Sequence, residues 1–372
     1  MTKSTHEVIV VKLGEIKRHP NADTLEMTNI WNYQVIFKEG QYKTGDLVAY
    51  IPPDSIVDTT RPEFEWLGEH RRIKVRRFRQ LWSMGLITPA PAGSKEGDNV
   101  ADQLGIIHFD PDEYTREGKP KERANHSGPL VSGRASAQPR ILPKGISMPR
   151  YDLDSWYRFG DILKEGESVL VTEKIHGANA RFVYVPDRRG LLQKAWDWTV
   201  KLLTDFSSGP PKQRYGLFTG SRNTWKDPLQ DHAWSRALKA QPSIGQFCVA
   251  NPNVVLYGEV YGDGVQELKY GLDHGEVRFV AFDAFDCNAM NWVPQRLLRS
   301  IAHGVGLQMA PLLYEGPYEK EKMPEFAEGK STLPGANHVR EGCVVESLDN
   351  PRNSHGFRHK LKIVGNGYLE KA

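Results

Sequence analysis

Val169-Leu-Val-Thr-Glu-Lys-Ile-His-Gly-Ala-Asn-Ala-Arg-Phe-Val-Tyr184 is the stretch around which the chain is organised. Two β-prone runs, Val169–Thr172 and Ala180–Val185, flank a polar turn centred on Gly177. That pattern predicts a hairpin with Lys174 at the end of its first strand. A lysine placed there, with His176 two positions on and Asn179 five on, suits a covalent nucleophile with orienting neighbours. Taken alone, the same pattern fits an exposed turn lysine equally well.

At 372 residues the chain is long enough for two domains, each with its own core. No apolar run approaches the ~18 residues of a membrane span. Met1–Glu7 lacks the apolar segment of a secretory leader. The three cysteines, Cys248, Cys287 and Cys343, are far apart and in no CxxC pair. They argue against a disulfide framework and a zinc site, and fit a reducing, cytoplasmic setting. A net charge of +3 identifies no partner; its distribution says more.

In the first hundred residues, Val8–Leu13, Trp31–Lys38 and Leu47–Ile51 are strand-like and are separated by turn residues. The spacing predicts a small β-barrel. His19-Pro-Asn-Ala-Asp-Thr-Leu25 can close a hairpin, and it resembles a turn of OB-fold tRNA-binding domains. In His70-Arg-Arg-Ile-Lys-Val-Arg-Arg-Phe-Arg79, seven of ten residues are Arg, Lys or His. Strand alternation puts Arg72, Lys74 and Arg76 on one face and turns Ile73 and Val75 to the core. Phe78 and Trp82 add aromatic surface. A charge run is usually a solvated face, but these basic residues interleaved with apolar ones on a barrel favour nucleic-acid contact. The expected OB-like domain is 1–109. The polar, Pro- and Gly-rich segment 110–147 is read as a linker.

A second domain, 148–372, opens with a short helix over Asp154–Leu163. Beyond the lysine stretch, Leu192, Trp196, Thr199, Leu203 and Phe206 fall at helical spacing within 191–206. Such a stripe is more often a packing face than a binding site. Another helix is expected over Pro228–Leu238. Between and after these come Leu217-Phe-Thr-Gly-Ser-Arg222, Val254–Gly262 with Glu259 beside Gly258, and Phe279-Val-Ala-Phe-Asp283. The last two are Arg340-Glu-Gly-Cys-Val-Val-Glu346 and Arg358-His-Lys-Leu-Lys-Ile-Val364. Lys360 and Lys362 share one face of a strand, with Leu361 and Ile363 on the other.

Glu173–Asn179, Glu-Lys-Ile-His-Gly-Ala-Asn, resembles the nucleotide-attachment motif of ATP-dependent RNA ligases. Those enzymes form the covalent nucleotidyltransferase superfamily with DNA ligases and mRNA capping enzymes. Most of the superfamily carries Asp where this chain has His176. The His form is similar to the branch of the bacteriophage double-strand RNA ligase and the kinetoplastid RNA-editing ligases. The later runs resemble motifs Ia, III, IIIa, IV and V of that family, in its order. Six such matches in sequence are harder to obtain by chance than any one. Only ten residues follow Lys362, which leaves no room for the further OB domain of DNA ligases and capping enzymes. An OB domain placed first resembles the Deinococcus-type RNA ligases. The 191–206 stretch is an insertion relative to the family.

The resemblance implies an α+β fold: an OB-like barrel, then a nucleotidyltransferase domain of antiparallel sheets flanked by helices. It also implies ATP and Mg²⁺ or Mn²⁺ as cofactors. Lys174 would form the lysyl-AMP, with Glu341, Lys360 and Lys362 as the other catalytic groups. Glu173, Ile175, Asn179, Arg222, Glu259 and Phe282 would hold the nucleotide, Phe282 by stacking on the base. Glu259 and Glu341 would organise the metal, largely through water. His176 would help position the lysine loop, although sequence physics assigns it no role. The expected partner is RNA with 3′-OH and 5′-phosphate ends, including nicks in duplexes, handled by a monomer away from membranes. The alternatives are a GTP-using capping-type guanylyltransferase and a catalytically inactive RNA-binding relative. The second would be favoured by the loss of Lys174, Glu341, Lys360 or Lys362, and all four are present.

Overall fold

The computed structural model describes residues 7–109, 148–149, 151–185, 216–222, 224–226, 229–349 and 358–370. The segment read as a linker, 110–147, and the helix expected over 191–206 lie outside these residues. Among the described residues no helix is long and apolar enough to cross a membrane.

Short strands punctuated by turn residues build the first unit. They are β1 (Ile9–Lys12), β2 (Ile16–Arg18), β3 (Leu25–Ile30), β4 (Tyr33–Lys38), β5 (Leu47–Ile51) and β6 (Ser55–Ile56). β7 (Arg72–Ile73), β8 (Arg76–Phe78), β9 (Leu81–Ser83), β10 (Leu86–Pro89), helix α1 (Ala101–Leu104) and β11 (Ile107–His108) follow. They pair as β1-β5-β10, β2-β3-β4, β11-β6-β7 and the ribbon β8-β9. Val10, Ile51, Phe64 and Ile73 fill one core; Leu13, Val35, Phe37 and Tyr50 fill the next. The His19–Leu25 turn joins β2 to β3 as expected. It also braces the ribbon: Asn21 Nδ2 donates to Arg79 O at 3.0 Å, and His19 Nε2 lies 3.1 Å from Phe78 O.

The basic run departs from the expected single strand. It breaks between β7 and β8. Ile73 and Val75 are buried as expected, but so is Arg72, at 9% exposure. Its Nη2 donates to Asp54 Oδ1 at 2.6 Å, and its guanidinium covers the Phe109 ring at 3.8 Å. Arg76, Arg77, Phe78 and Arg79 are exposed together on the ribbon.

In the second unit, β12 (Asp154–Ser155), α2 (Trp156–Phe159), β13 (Ser168–Lys174) and β14 (Ala178–Val185) come first. Next are β15 (Gly216–Gly220), β16 (Trp225–Lys226), α3 (Ala233–Ala240), α4 (Pro242–Ala250), β17 (Val254–Gly262) and β18 (Val277–Asp286). The last are β19 (Asn291–Trp292), α5 (Gln295–Gly304), β20 (Leu312–Pro317), β21 (Gly342–Ser347), β22 (Lys360–Val364) and α6 (Asn366–Leu369). They form a five-stranded sheet, β12-β22-β21-β13-β20, and a six-stranded sheet, β16-β15-β14-β17-β18-β19. Every pairing is antiparallel except β12 with β22. The expected helix over Asp154–Leu163 is therefore preceded by a short strand, and it ends in a 3₁₀ turn, Gly160–Ile162. The helix expected from Pro228 starts later, at Ala233. A reciprocal cap fixes that start, since His232 Nδ1 accepts from the Ser235 N–H and Ser235 Oγ from the His232 N–H.

The lysine stretch is not a hairpin. β13 is flanked on both edges by β20 and β21, and β14 by β15 and β17. Neither strand has an edge left to offer the other, so Ile175–Gly177 carries the chain from one sheet to the other. A Cβ on Gly177 would lie 2.3 Å from Val260 O and 2.9 Å from Glu259 Cγ. Only glycine can pass so close to β17.

Helices α3, α4 and α5 cover the outer face of the six-stranded sheet, where Phe182, Leu256 and Phe279 meet Ile244, Phe247 and Leu298. The outer face of the five-stranded sheet packs on the first unit: Val75 and Met84 join Trp156, Tyr318, Val345 and Ile363 in one cluster. The Asn32 N–H donates to Tyr157 O at 2.9 Å, and the Tyr33 hydroxyl lies 2.9 Å from Ser155 Oγ.

Candidate active site

Because the chain crosses between sheets at Ile175–Gly177, residues on either side of the crossing face a common cleft. A cavity of about 130 Å³ lies there. Its wall contains Glu173, Lys174, Ile175, Asn179, Arg222, Glu259, Phe282, Lys360 and Lys362, all singled out from sequence. Glu341 stands behind this wall, against Lys174.

Register explains that contact. Lys174 ends β13 and pairs with Gly342, the first residue of β21, so the residue before Gly342 falls beside the lysine. Lys174 Nζ donates to Glu341 Oε1 at 2.6 Å. His176, without an assigned role until now, is clamped beside them. Its backbone N–H donates to the Tyr270 hydroxyl at 2.7 Å, and its Nδ1 lies 3.1 Å from the Tyr368 hydroxyl and 3.9 Å from Glu341 Oε2. Burial holds the imidazole below its usual pKa, against the pull of Glu341. Lys362 also faces Lys174, and burial, reinforced by Lys174, lowers its own amine pKa.

Across the cleft, Asn179 on β14 sits opposite Glu259 on β17. Burial raises the Glu259 carboxyl to about 8, with Lys174 opposing the rise. Gly258 precedes Glu259 on the same strand. The room it leaves is taken by the Phe279 ring of β18, which a Cβ would meet at 2.1 Å.

Three buried acceptors around the cleft have no hydrogen-bond partner among the described residues: Glu173 Oε1, Asn179 Oδ1 and Glu341 Oε2. Buried polar atoms are rarely left unpaired, so these oxygens suit a ligand that brings donors or positive charge. The described residues contain no group of three or more His, Cys, Asp or Glu arranged to hold a metal directly. The unpaired Glu341 oxygen and the Glu259 carboxyl therefore fit a hydrated cation held through water better than a closed coordination shell.

Lys360 reaches the cavity wall, yet its ammonium is paired. Only 4% exposed, it donates to Asp283 Oδ2 at 2.8 Å and lies 2.8 Å from Glu346 Oε2. Arg358 joins the same carboxylates at 2.6 and 3.0 Å, and the Tyr151 hydroxyl donates to Asp283 Oδ2 at 3.0 Å. Burial pushes the Asp283 carboxyl up, but Arg358 and Lys360 outweigh it and hold the pKa below its usual value. Sequence reading quoted Asp283, Glu346 and Arg358 without giving them roles.

A bulge explains why. Tyr257 pairs with Asp283 but Gly258 with Ala281, so Phe282 is the extra residue on β18. Bulges re-aim side chains. Phe279 and Ala281 point to the helix layer. Phe282 and Asp283, although consecutive, both reach the cleft side, where Phe282 packs 4.7 Å from the Tyr151 ring.

Residues 167–364 match the RNA ligase family, and residues 8–90 match an OB-fold domain family. No curated protein matches the chain. Among solved structures, a single-residue mutant of Naegleria gruberi RNA ligase with ATP and manganese is similar at 21% identity and a TM-score of 0.69, over 98% of both chains. The same ligase with pyrophosphate gives 21% identity and 0.69 over 98% of each. Another single-residue mutant of it, with AMP and manganese, gives 20% identity and 0.70 over 99% of each.

Proposed function

This chain belongs to the RNA ligase family, and from that premise we propose that it joins RNA 3′-OH and 5′-phosphate ends through a lysyl-AMP. The observation that carries this reading is Lys174 held 2.6 Å from Glu341 at the edge of a cleft of unpaired acceptors. In the first step the neutral Lys174 amine attacks the α-phosphorus of ATP. The N–P bond forms, the bond to the β-phosphate oxygen breaks, and pyrophosphate leaves. The 5′-phosphate of RNA then displaces the lysine and takes the AMP. Finally the 3′-OH attacks that 5′-phosphorus and AMP departs.

A free lysine amine is mostly protonated near neutral pH. Only the neutral amine can attack, so Lys174, 2.6 Å from Glu341 Oε1, must give up its proton before the N–P bond forms. Lys362 lines the same cavity, where its amine can meet the phosphates. Lys360, paired with Asp283 and Glu346, contributes less positive charge to the phosphates and more to fixing β22 against β18. A divalent cation held through water by Glu259 and Glu341 would neutralise phosphate charge. Incubation with α-labelled ATP and Mg²⁺ should leave label on the protein through a denaturing gel. A chain that never acquires label would overturn the reading.

ATP should be preferred to GTP by roughly ten- to hundred-fold in that assay. Glu173 Oε2 already accepts from Thr332 N–H and Oγ1 at 2.7 and 2.6 Å, leaving Oε1 as a buried acceptor at the cavity. An adenine amino group can donate to it. The guanine carbonyl oxygen would oppose it. Equal labelling from both nucleotides would remove Glu173 from the base site.

For the RNA, the exposed β8–β9 ribbon replaces the triad expected from strand alternation. Substituting Arg76, Arg77 and Arg79 together by Ala should spare lysine charging and weaken RNA joining. The log–log salt slope of RNA affinity should flatten by roughly 2, from ~0.7–0.9 per lost phosphate contact. An unchanged slope in a folded variant would make the ribbon a solvated face.

A further inference from the structure

Arg181 is a buried cation with no part in the chemistry above. It lies on β14 two residues beyond Asn179 and so on the same face of the six-stranded sheet. Across β17 it stands opposite Tyr257, one pleat from the Asn179–Glu259 pair. On its other side it stands opposite Gly220, which faces Trp225. The guanidinium lies 4.2 Å from the Trp225 ring centroid. β15 ends at Gly220, and Arg222, two residues on, lines the cavity.

Arg181 is 8% exposed, and its Nε has no hydrogen-bond partner among the described residues. Burial draws its pKa down, with Tyr257 alone opposing. Two other sheltered arginines show how this protein usually treats such groups. Arg72 is paired with Asp54, and Arg358 with Asp283 and Glu346. A buried charge without a counterion is costly, and a cation–π contact recovers only part of that cost. A guanidinium held over an aromatic ring spends no hydrogen-bond donor on that contact, which leaves donors for the bidentate grip that phosphate accepts.

We propose that Arg181, one pleat from the nucleotide cavity and close in the fold to Arg222, is a phosphate-binding residue whose counterion arrives with substrate. The phosphate comes either from the pyrophosphate end of ATP or from the RNA strand being joined. The inference deepens the RNA-joining reading and rests on it for the identity of the second source.

The test uses the full-length chain and Arg181→Met, which keeps much of the volume and removes the charge. Without ligand the variant should melt at or above the wild-type temperature, because an uncompensated buried charge has gone. Two arms then separate the sources. In the first, the rise in melting temperature with inorganic pyrophosphate, and the ATP concentration for half-maximal charging, are compared with wild type. In the second, pre-charged protein is mixed with 5′-phosphorylated RNA and transfer of AMP is followed in a single turnover. A loss of tenfold or more in the first arm assigns the site to ATP, and in the second to RNA. Arg181→Lys, with the charge but not the fork, should recover part of the loss.

Both arms within twofold of wild type would overturn the proposal. So would an Arg181→Met chain that melts well below wild type while Arg181→Lys keeps both activities, since the arginine would then be a packing element. If the wild type took no label from ATP, the ligase reading would fail. The pyrophosphate melting arm would still judge the site.

Discussion

Lys174→Ala should give no covalent nucleotide adduct at any ATP concentration, because the atom that bonds to the α-phosphorus is gone. Stability should change by only about 1–2 kcal/mol: the pair it breaks is partly solvated, with 26% of the Lys174 side chain and 13% of that of Glu341 exposed. Lys174→Arg separates the two effects. It keeps a cation for Glu341 and still supplies no nucleophile at neutral pH, so it too should remain unlabelled. RNA carrying a preformed 5′-adenylate should still be joined measurably by Lys174→Ala, since that step needs no lysyl-AMP. Label retained on either variant after denaturation would place the nucleophile elsewhere.

The residues of this chemistry were largely legible in the sequence; their arrangement was less so. Lys174 follows an apolar run, Glu259 interrupts one and Glu341 precedes one. A polar residue in that setting stands out whatever the run pairs with. The partnering of β13 and β14 was illegible because a glycine turn between two β-prone runs reads the same locally whether the runs pair or diverge. Only the strands occupying their edges decide, and those lie as far away as Gly342–Ser347 and Val254–Gly262.

Arg72 shows a different failure. Alternation assigns a side chain to a face and says nothing of what covers that face, and here Asp54 and Phe109 cover the residue read as phosphate-facing. The exposed arginines begin four residues later. At Phe282 and Asp283 the bulge opposite Gly258 hid the second residue's role, since period-two reading sends consecutive side chains to opposite faces. A hint was present in Asp283 itself, an acidic residue inside the apolar run Phe279–Phe285. Two lysines and an arginine in Arg358–Lys362 were available to pair with it. The signal could have been found by asking where its counterion was.

The largest effect on stability should come from that residue. Asp283 is fully buried and accepts hydrogen bonds from Arg358, Lys360 and Tyr151. Asp283→Ala would leave two buried cations to share Glu346 alone. Breaking a buried pair from one side typically costs about 3–5 kcal/mol, and here two pairs lose the same partner. Urea unfolding of Asp283→Ala should show a loss at or above that range. If the cost is the stranded charge rather than lost packing, Lys360→Met in the same chain should return part of it. Measured alone, Lys360→Met should be costly too, because it strands carboxylate instead. The double mutant should then lose clearly less than the sum of the two singles, by at least about 1 kcal/mol, within the range of coupling for residues in one network. Nucleotide charging should fall in all three, since Tyr151 and Phe282 pack on the bulge that Asp283 anchors and Lys360 lines the cavity. Strict additivity of the two stability losses would mean that Asp283 and Lys360 do not act as a pair. The bulge would then be held by packing alone.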